Sequence, residues 1–202
     1  MNQIKYPFLL LLLIISLISS CTSIPNKNIV WQSYHDQKID FKAFGRLSIK
    51  IDHRGSHGNF DWNNQHSRSF SIIDINTPIG NTIGQLCKDF IGVIAENNKG
   101  EIFTGNNASE LSEKLLGFQV PIDYLDLWIN GYASTQSPYN TSGNKLYQNN
   151  WTIERILDKN QKPKTILLQG NGLSITLFFD QFSKSDNLQH KNQDLICPNR
   201  NL

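Results

Sequence analysis

The sequence predicts a mainly β fold with α (α+β): a curled antiparallel sheet, or incomplete barrel, with helices across one face. Three observations carry this. Short segments that alternate apolar and polar residues recur along the chain. Turns rich in glycine and asparagine separate them, and one stretch with a period near four residues interrupts them. No longer repeat is visible.

Trp31, Tyr34, Ile39 and Phe41, set among charged residues, predict a helix over about 30–42. From Arg46 to Ile51 the period changes to two, with Leu47, Ile49 and Ile51 on one side of a half-buried strand. Residues 57–62 repeat this, placing Phe60 and Trp62 together. In 69–75, Ile73 and Ile75 share a side while Phe70 and Ile72 take the other. Strands follow at 82–87, 90–96 and 101–104, the last two joined by the turn Asn97-Asn98-Lys99-Gly100.

The helical interruption comes next. Asn107 caps a helix with Glu110 three residues on, Leu111 and Leu115 stack, and Gly117 ends it. Pro121 opens a second helix striped by Leu125, Trp128 and Ile129 and closed by Gly131. Residues 132–146 read as a polar loop. Strands resume at 151–156, 165–169 and 173–179, where Leu173, Ile175, Leu177 and Phe179 alternate with Ser174, Thr176 and Phe178. Beyond Phe182 the chain is polar and is expected to be disordered.

A leader precedes this domain. Lys5 stands ahead of a short apolar run from Phe8 to Ile18. A permanent membrane helix needs about 20 apolar residues, so the run fits a secretory segment instead. It ends in Ser19-Ser20-Cys21, which resembles the lipobox of bacterial lipoproteins. Cleavage before Cys21 makes that residue the site of S-diacylglycerol and N-palmitoyl attachment, a firm membrane anchor. By the same resemblance, Thr22 permits export to the outer membrane. The expected organisation is a cleaved signal (1–20), a lipidated tether (21–30), one domain (31–182) and a tail (183–202).

Loss of the leader removes 20 of 202 residues and one charge, Lys5, taking the formal net charge from +2 to +1. The remaining charges are interspersed, which leaves no electrostatic footprint for nucleic acid. Cys87 and Cys197 could oxidise in an exported chain. We expect them unpaired, because Cys87 lies in an apolar segment and Cys197 in a polar tail.

Catalytic motifs are scarce. His53 and His57 are four apart but flank Arg54-Gly55-Ser56, read as a turn, so they are expected to be solvated and not metal ligands. Asp123 and Asp126 near a helix start suit the helix dipole better than proton transfer. No nucleophile elbow, Cys-x-x-Cys or phosphate-binding glycine loop is present. A lipid-anchored enzyme acting on envelope lipids or glycans stays open, as does a structural assembly lipoprotein. We expect a monomer with no cofactor.

Two features remain. Ile79 lies within Asn76-Thr77-Pro78-Ile79-Gly80-Asn81-Thr82. An aliphatic side chain usually folds into a core, yet Pro78 and Gly80 hold Ile79 in a tight bend that tends to point outward. The aromatics Phe60, Trp62, Phe70, Trp128, Trp151, Phe178 and Phe179 are core by default. On a curled sheet they could also line a hollow.

Taken in order, the lipobox, Phe44-Gly45-Arg46-Leu47, Phe60-Asp61-Trp62, Pro78-Ile79-Gly80, Asn98-Lys99-Gly100, Leu116-Gly117 with Val120-Pro121, Leu125-x-x-Trp128-Ile129-x-Gly131 and Asn150-Trp151 resemble the LolB family of outer-membrane lipoproteins. The likeness runs from Trp31 to about Phe182. It implies an incomplete antiparallel barrel with helices packed into its mouth around an apolar cavity. The implied function is non-enzymatic: client lipoproteins pass from a periplasmic, LolA-like carrier into the cavity and then into the inner leaflet of the outer membrane. The implied transfer loop is Pro78, Ile79 and Gly80. The candidate acyl lining is Phe60, Trp62, Phe70, Ile72, Leu125, Trp128, Trp151, Leu177 and Phe179. This chain has Ile79 where the family leads us to expect Leu, Phe182 in place of Trp, and Asn150 in place of Gly.

Overall fold

An antiparallel sheet of eleven strands carries the fold, in the order β7-β6-β5-β4-β3-β2-β13-β12-β11-β10-β9. The computed structural model describes residues 29–37, 39–52, 54–184 and 195–200. The leader, Cys21, most of the tether and residues 185–194 lie outside that set.

The strands are β2 (Phe41–Ile51), β3 (Arg54–Gln65), β4 (Phe70–Asn76), β5 (Thr82–Lys88), β6 (Val93–Asn97), β7 (Ile102–Gly105), β9 (Tyr139–Ser142), β10 (Lys145–Gln148), β11 (Trp151–Leu157), β12 (Pro163–Gly170) and β13 (Leu173–Lys184). A separate parallel pair joins β1 (Gln32–Ser33) to β8 (Tyr132–Ala133). The first long strand, β2, pairs with the last, β13, along eleven partner positions with one bulge between Phe179 and Gln181. The ends of the sheet, β7 and β9, do not pair, so it curls without closing.

Helices α1 (Ala108–Leu116) and α2 (Ile122–Asn130) lie in the concavity. Asn107 caps α1 as expected, its side chain accepting from the Glu110 N–H at 2.7 Å. Asp123 of α2 accepts from Ala108 N and Ser109 N, tying the second helix to the exposed donors of the first. Gly117 and Gly131 end the helices in the left-handed region, at φ 81° and 92°.

Alternation sorts the side chains. The inner face buries Phe41, Ile49, Phe60, Trp62, Ile73, Ile175 and Phe179 with Leu125, Trp128 and Ile129 of α2. Leu86, Val93 and Ala95 meet Leu111 of α1 in a smaller cluster. Phe70, Cys87, Ile94 and Cys197 form a third cluster, made by the alternate residues of β4, β5 and β6, which point away from the helices.

Several sequence expectations change. No helix forms among the described residues of 30–42: Gln32 N and Tyr34 N donate to Gly131 and Ala133 carbonyls, giving that segment a strand partner instead of a helical turn. The polar loop 132–146 contains β8, β9 and the start of β10. Gly143 at φ 60° makes the hairpin turn, and the solvated edge strand β9 carries no apolar alternation to reveal it. Phe90 and Ile91 belong to a turn, because the Asp89 carboxylate captures Ile91 N and Gly92 N before β6 begins. Arg54-Gly55-Ser56, expected as a turn, instead open β3 opposite Ile49-Lys50-Ile51, and His57 beside them is exposed as expected, while His53 lies outside the described residues.

The cysteines form a disulfide, with Cα atoms 5.7 Å apart and 110 residues between them. The expectation of unpaired thiols fails because Cys87 points to the outer face, where residues 195–200 return and cover it. For residues 195–200 that return replaces the expected disorder with a bonded segment. Cys197 is buried, its N–H donates to Asp89 Oδ2 at 2.9 Å, and Arg200 Nε donates to the same oxygen at 2.8 Å.

Candidate functional site: an exposed loop beside an apolar interior

Ile79 is 85% exposed at the tip of the loop between β4 and β5. Thr77 N donates to Asn81 O at 2.7 Å, Gly80 N to Thr77 O at 2.9 Å, and Asn81 N to Thr77 Oγ1 at 3.0 Å. With these three N–H groups bonded within the loop, the segment holds its shape without burying Ile79. Gly80 takes φ 90°, a conformation that side chains with a Cβ resist. The bend after Pro78 therefore directs the aliphatic outward.

Beneath the loop lies an apolar interior. A void of about 50 Å³ is bordered by Phe60, Trp62, Ile73 and Leu177 from the sheet and Leu125 and Val120 from the helical side. It shares Leu47, Ile49, Ile75 and Leu116 with a second pocket of about 170 Å³ that reaches Ile83 and Phe118. Gly58 also borders that pocket, and a Cβ there would stand 2.6 Å from the Asn76 carbonyl oxygen. The apolar opening thus meets the root of the Ile79 loop.

The structure distributes the candidate lining residues unevenly. Phe60, Trp62, Leu125 and Leu177 come together around the void. Ile72 and Phe70 do not. They join the outer cluster with Cys87 and Cys197, since β4 alternates and Ile73 and Ile75 take the inner positions. Register supplied the missed signal, because Trp62 pairs with Ile73 and Phe60 with Ile75. Trp128, Trp151 and Phe179 are buried but do not line the void. Phe179 packs against Phe60 and Phe182 with ring centroids 5.5 and 5.7 Å away, and Trp128 stacks on Tyr124 at 5.6 Å.

At the other end of the concavity the surface turns polar. A groove of about 880 Å³ is bordered by Tyr34, Asp36, His66, Lys88, Asp126 and Gln136, among others. Tyr34 Oη lies 2.7 Å from His66 Nε2, and His66 Nδ1 lies 3.2 Å from Asp126 Oδ2. Burial, then the charges of Asp36 and Asp126, push the Tyr34 phenol above its ordinary pKa. Neither groove serine pairs with His66: Ser109 Oγ donates to Asp123 Oδ2, and Ser134 Oγ accepts from Gln136 N. No group of three His, Cys, Asp or Glu able to hold a metal occurs among the described residues.

The sequence profile described as "Outer membrane lipoprotein LolB" matches residues 39–182. The chain belongs to the LolB family. The outer-membrane lipoprotein LolB of Neisseria meningitidis serogroup A is 36% identical over 183 residues, covering 89% of this chain and 93% of that protein. The LolB of Chromobacterium violaceum is 31% identical over 140 residues, 67% of this chain and 76% of its own. That of Vibrio parahaemolyticus is 28% identical over 186 residues, with 84% and 89% covered. The LolB profile spans β2 to Phe182 of β13, the span that builds both the apolar interior and the Ile79 loop.

Proposed function

We propose that the protein is an outer-membrane lipoprotein, anchored through acylated Cys21, that accepts lipoproteins from a periplasmic carrier and inserts them into the inner leaflet. The observation that carries this reading is Ile79, 85% exposed on a self-bonded loop at the apolar opening. Membership of the LolB family supports it.

The physical demand is severe. A client with three acyl chains, about 45 methylenes in all, loses roughly 36 kcal/mol of burial if left in water. Its tails must pass from one apolar site to another. The void of about 50 Å³ holds only a short hydrocarbon segment. Loading therefore requires α1 and α2 to move away from the inner face, with Phe60, Trp62, Leu125 and Leu177 meeting the tails first. Trp128, Trp151 and Phe179 form the deeper wall. Their close packing makes an occupied cavity less stable than a bilayer, which keeps release downhill. Ile79, with Pro78 and Gly80 setting its direction, dips into the leaflet. Burying one such side chain is worth about 1.5–3 kcal/mol, enough to bias insertion and weak enough to reverse.

Ile79→Glu tests this. The variant folds and takes client from the carrier, while insertion into liposomes falls by on the order of tenfold or more. Normal insertion by the variant overturns the reading. A lipid-anchored enzyme would instead lose activity on changes to the Tyr34–His66–Asp126 relay and be indifferent to Ile79.

A further inference from the structure

Neighbouring pockets of the concavity share lining residues from one end to the other. The polar groove shares His66, Lys88, Asp123 and Asp126 with a mixed pocket of about 130 Å³. That pocket shares Trp62 and Ile122 with the apolar void, and the void shares Leu47, Ile49 and Leu116 with the pocket beside the Ile79 loop, which Ser56 and His57 also border. Strand direction separates the two ends. His66 follows the last residue of β3 and Lys88 is the last residue of β5, whereas the Ile79 loop joins the opposite ends of β4 and β5.

We propose that the polar groove is the subsite for the client's lipid-proximal peptide, so that a client binds in one direction, with its tails pointing to the Ile79 end. This rests on the receptor reading above and adds an orientation to it. A triacylated cysteine is apolar on one side and continues as a polar, hydrogen-bonding peptide on the other. The concavity has the same division. Lys88 makes no ion pair among the described residues and borders both the groove and the mixed pocket, where its ammonium reaches ester or peptide carbonyls at the junction. Asp36 is exposed in the groove and accepts peptide N–H groups, while Asp123 is already engaged by the start of α1. The reverse placement buries alkyl chain against carboxylates and leaves peptide groups unpaired in the apolar void, both unfavourable. In the proposed direction the tails stand nearest the membrane and leave first, while the peptide stays in water.

Photocrosslinking tests the direction. Benzoylphenylalanine is placed in the full-length protein at exposed Gln136 in the groove and, separately, at Phe118 in the apolar opening. The probe is a synthetic triacylated cysteine followed by five polar residues. Mass spectrometry is expected to map the Gln136 adduct to the peptide and the Phe118 adduct to an acyl chain. Exchanged adducts, or acyl adducts from both positions, overturn the orientation and leave the receptor reading standing. No adduct from either position in folded protein overturns the receptor reading and the orientation with it. Lys88→Ala gives a second measure: affinity for the lipopeptide falls about fivefold while affinity for hexadecane, a tail with no polar head, is unchanged. An equal loss for both ligands overturns the subsite.

Discussion

Trp128 donates its indole N–H to Gln148 Oε1 at 3.0 Å, with both side chains buried. The same oxygen accepts from Ser134 N at 3.0 Å, and Gln148 Nε2 donates to the Ser134 and Ser137 carbonyls at 2.7 and 3.1 Å. One side chain thus fixes α2, the segment after β8 and strand β10 to one another. It also explains why Trp128 is held in the wall and does not swing into the void.

Gln148→Leu keeps the volume and removes every one of these bonds. Trp128 Nε1 and Ser134 N would be left buried without that acceptor, at about 1–3 kcal/mol each. The expected loss of unfolding free energy is about 2–4 kcal/mol, read from the urea midpoint at unchanged slope. A loss under about 1 kcal/mol would mean the network does not hold the helix.

The disulfide makes a separate prediction. It closes a loop of 110 residues between β5 and the C-terminal segment. The double variant Cys87→Ala, Cys197→Ala is expected to unfold with about 3 kcal/mol less free energy, and reductant should have no further effect on it. Because the pair lies on the outer face, away from the void, client uptake by the folded variant should be unchanged. Impaired uptake at a temperature where the variant is folded would show that the clasp also shapes the interior.

Asp89 sets the acid limit of that clasp. Burial on its own raises the Asp89 carboxyl, but the N–H groups of Cys197, Ile91 and Gly92 and the Arg200 guanidinium outweigh it and hold the group below its ordinary 3.8. A carboxyl with a depressed folded pKa contributes stability that is present above 3.8 and lost as pH falls through the folded value. Amide exchange at Cys197 and Arg200 is therefore expected to lose protection below pH 3.8, and Asp89→Asn should show weakened protection already at neutral pH.

How much of this was legible in the sequence depends on the range of the contacts. The α1 cap, the two helix-ending glycines and the strands built on Leu47-Ile49-Ile51 and Leu173-Ile175-Leu177 are written in nearby residues. Ile79 was readable as a candidate because Pro78 and Gly80 are its neighbours. Its outward direction needed the Thr77–Asn81 bonds. The inner and outer sides of β4 were distinguishable by alternation, but only pairing with Trp62 showed that Ile73 was inward. The disulfide was not legible, since nothing near Cys197 indicates a return across 110 residues. Strands β1 and β8 hid for a similar reason: two-residue strands have no period.

Arg155 is a cation that sequence alternation places on the inner face among Trp151 and Ile153. It is 7% exposed, its Nε has no hydrogen-bond partner, and its guanidinium carbon lies 5.4 Å from the centre of the Trp31 ring. Burial pulls its pKa down to about 10. A base depressed by burial makes the fold carry an uncompensated charge at neutral pH, relieved only above about 10. Arg155→Met is therefore expected to leave stability within about 1 kcal/mol of wild type, or to raise it, in urea melts. A loss of 3 kcal/mol or more would mean that contact with Trp31 outweighs the desolvation.

Anchoring can be separated from folding, because the domain from β1 to β13 closes its core without Cys21. Cys21→Ala is expected to abolish palmitate incorporation and to leave precursor uncut before residue 21. The same domain, made without the leader, should melt like the lipidated protein and still take client from the carrier, since the void and the loop lie wholly within it. Transfer to liposomes should slow: without acyl chains to hold it at the surface, contact depends on Ile79 alone, whose burial contributes about 1.5–3 kcal/mol. Acylation of Cys21→Ala, measured by labelled palmitate, would place the lipid on another residue and remove the basis for the tether.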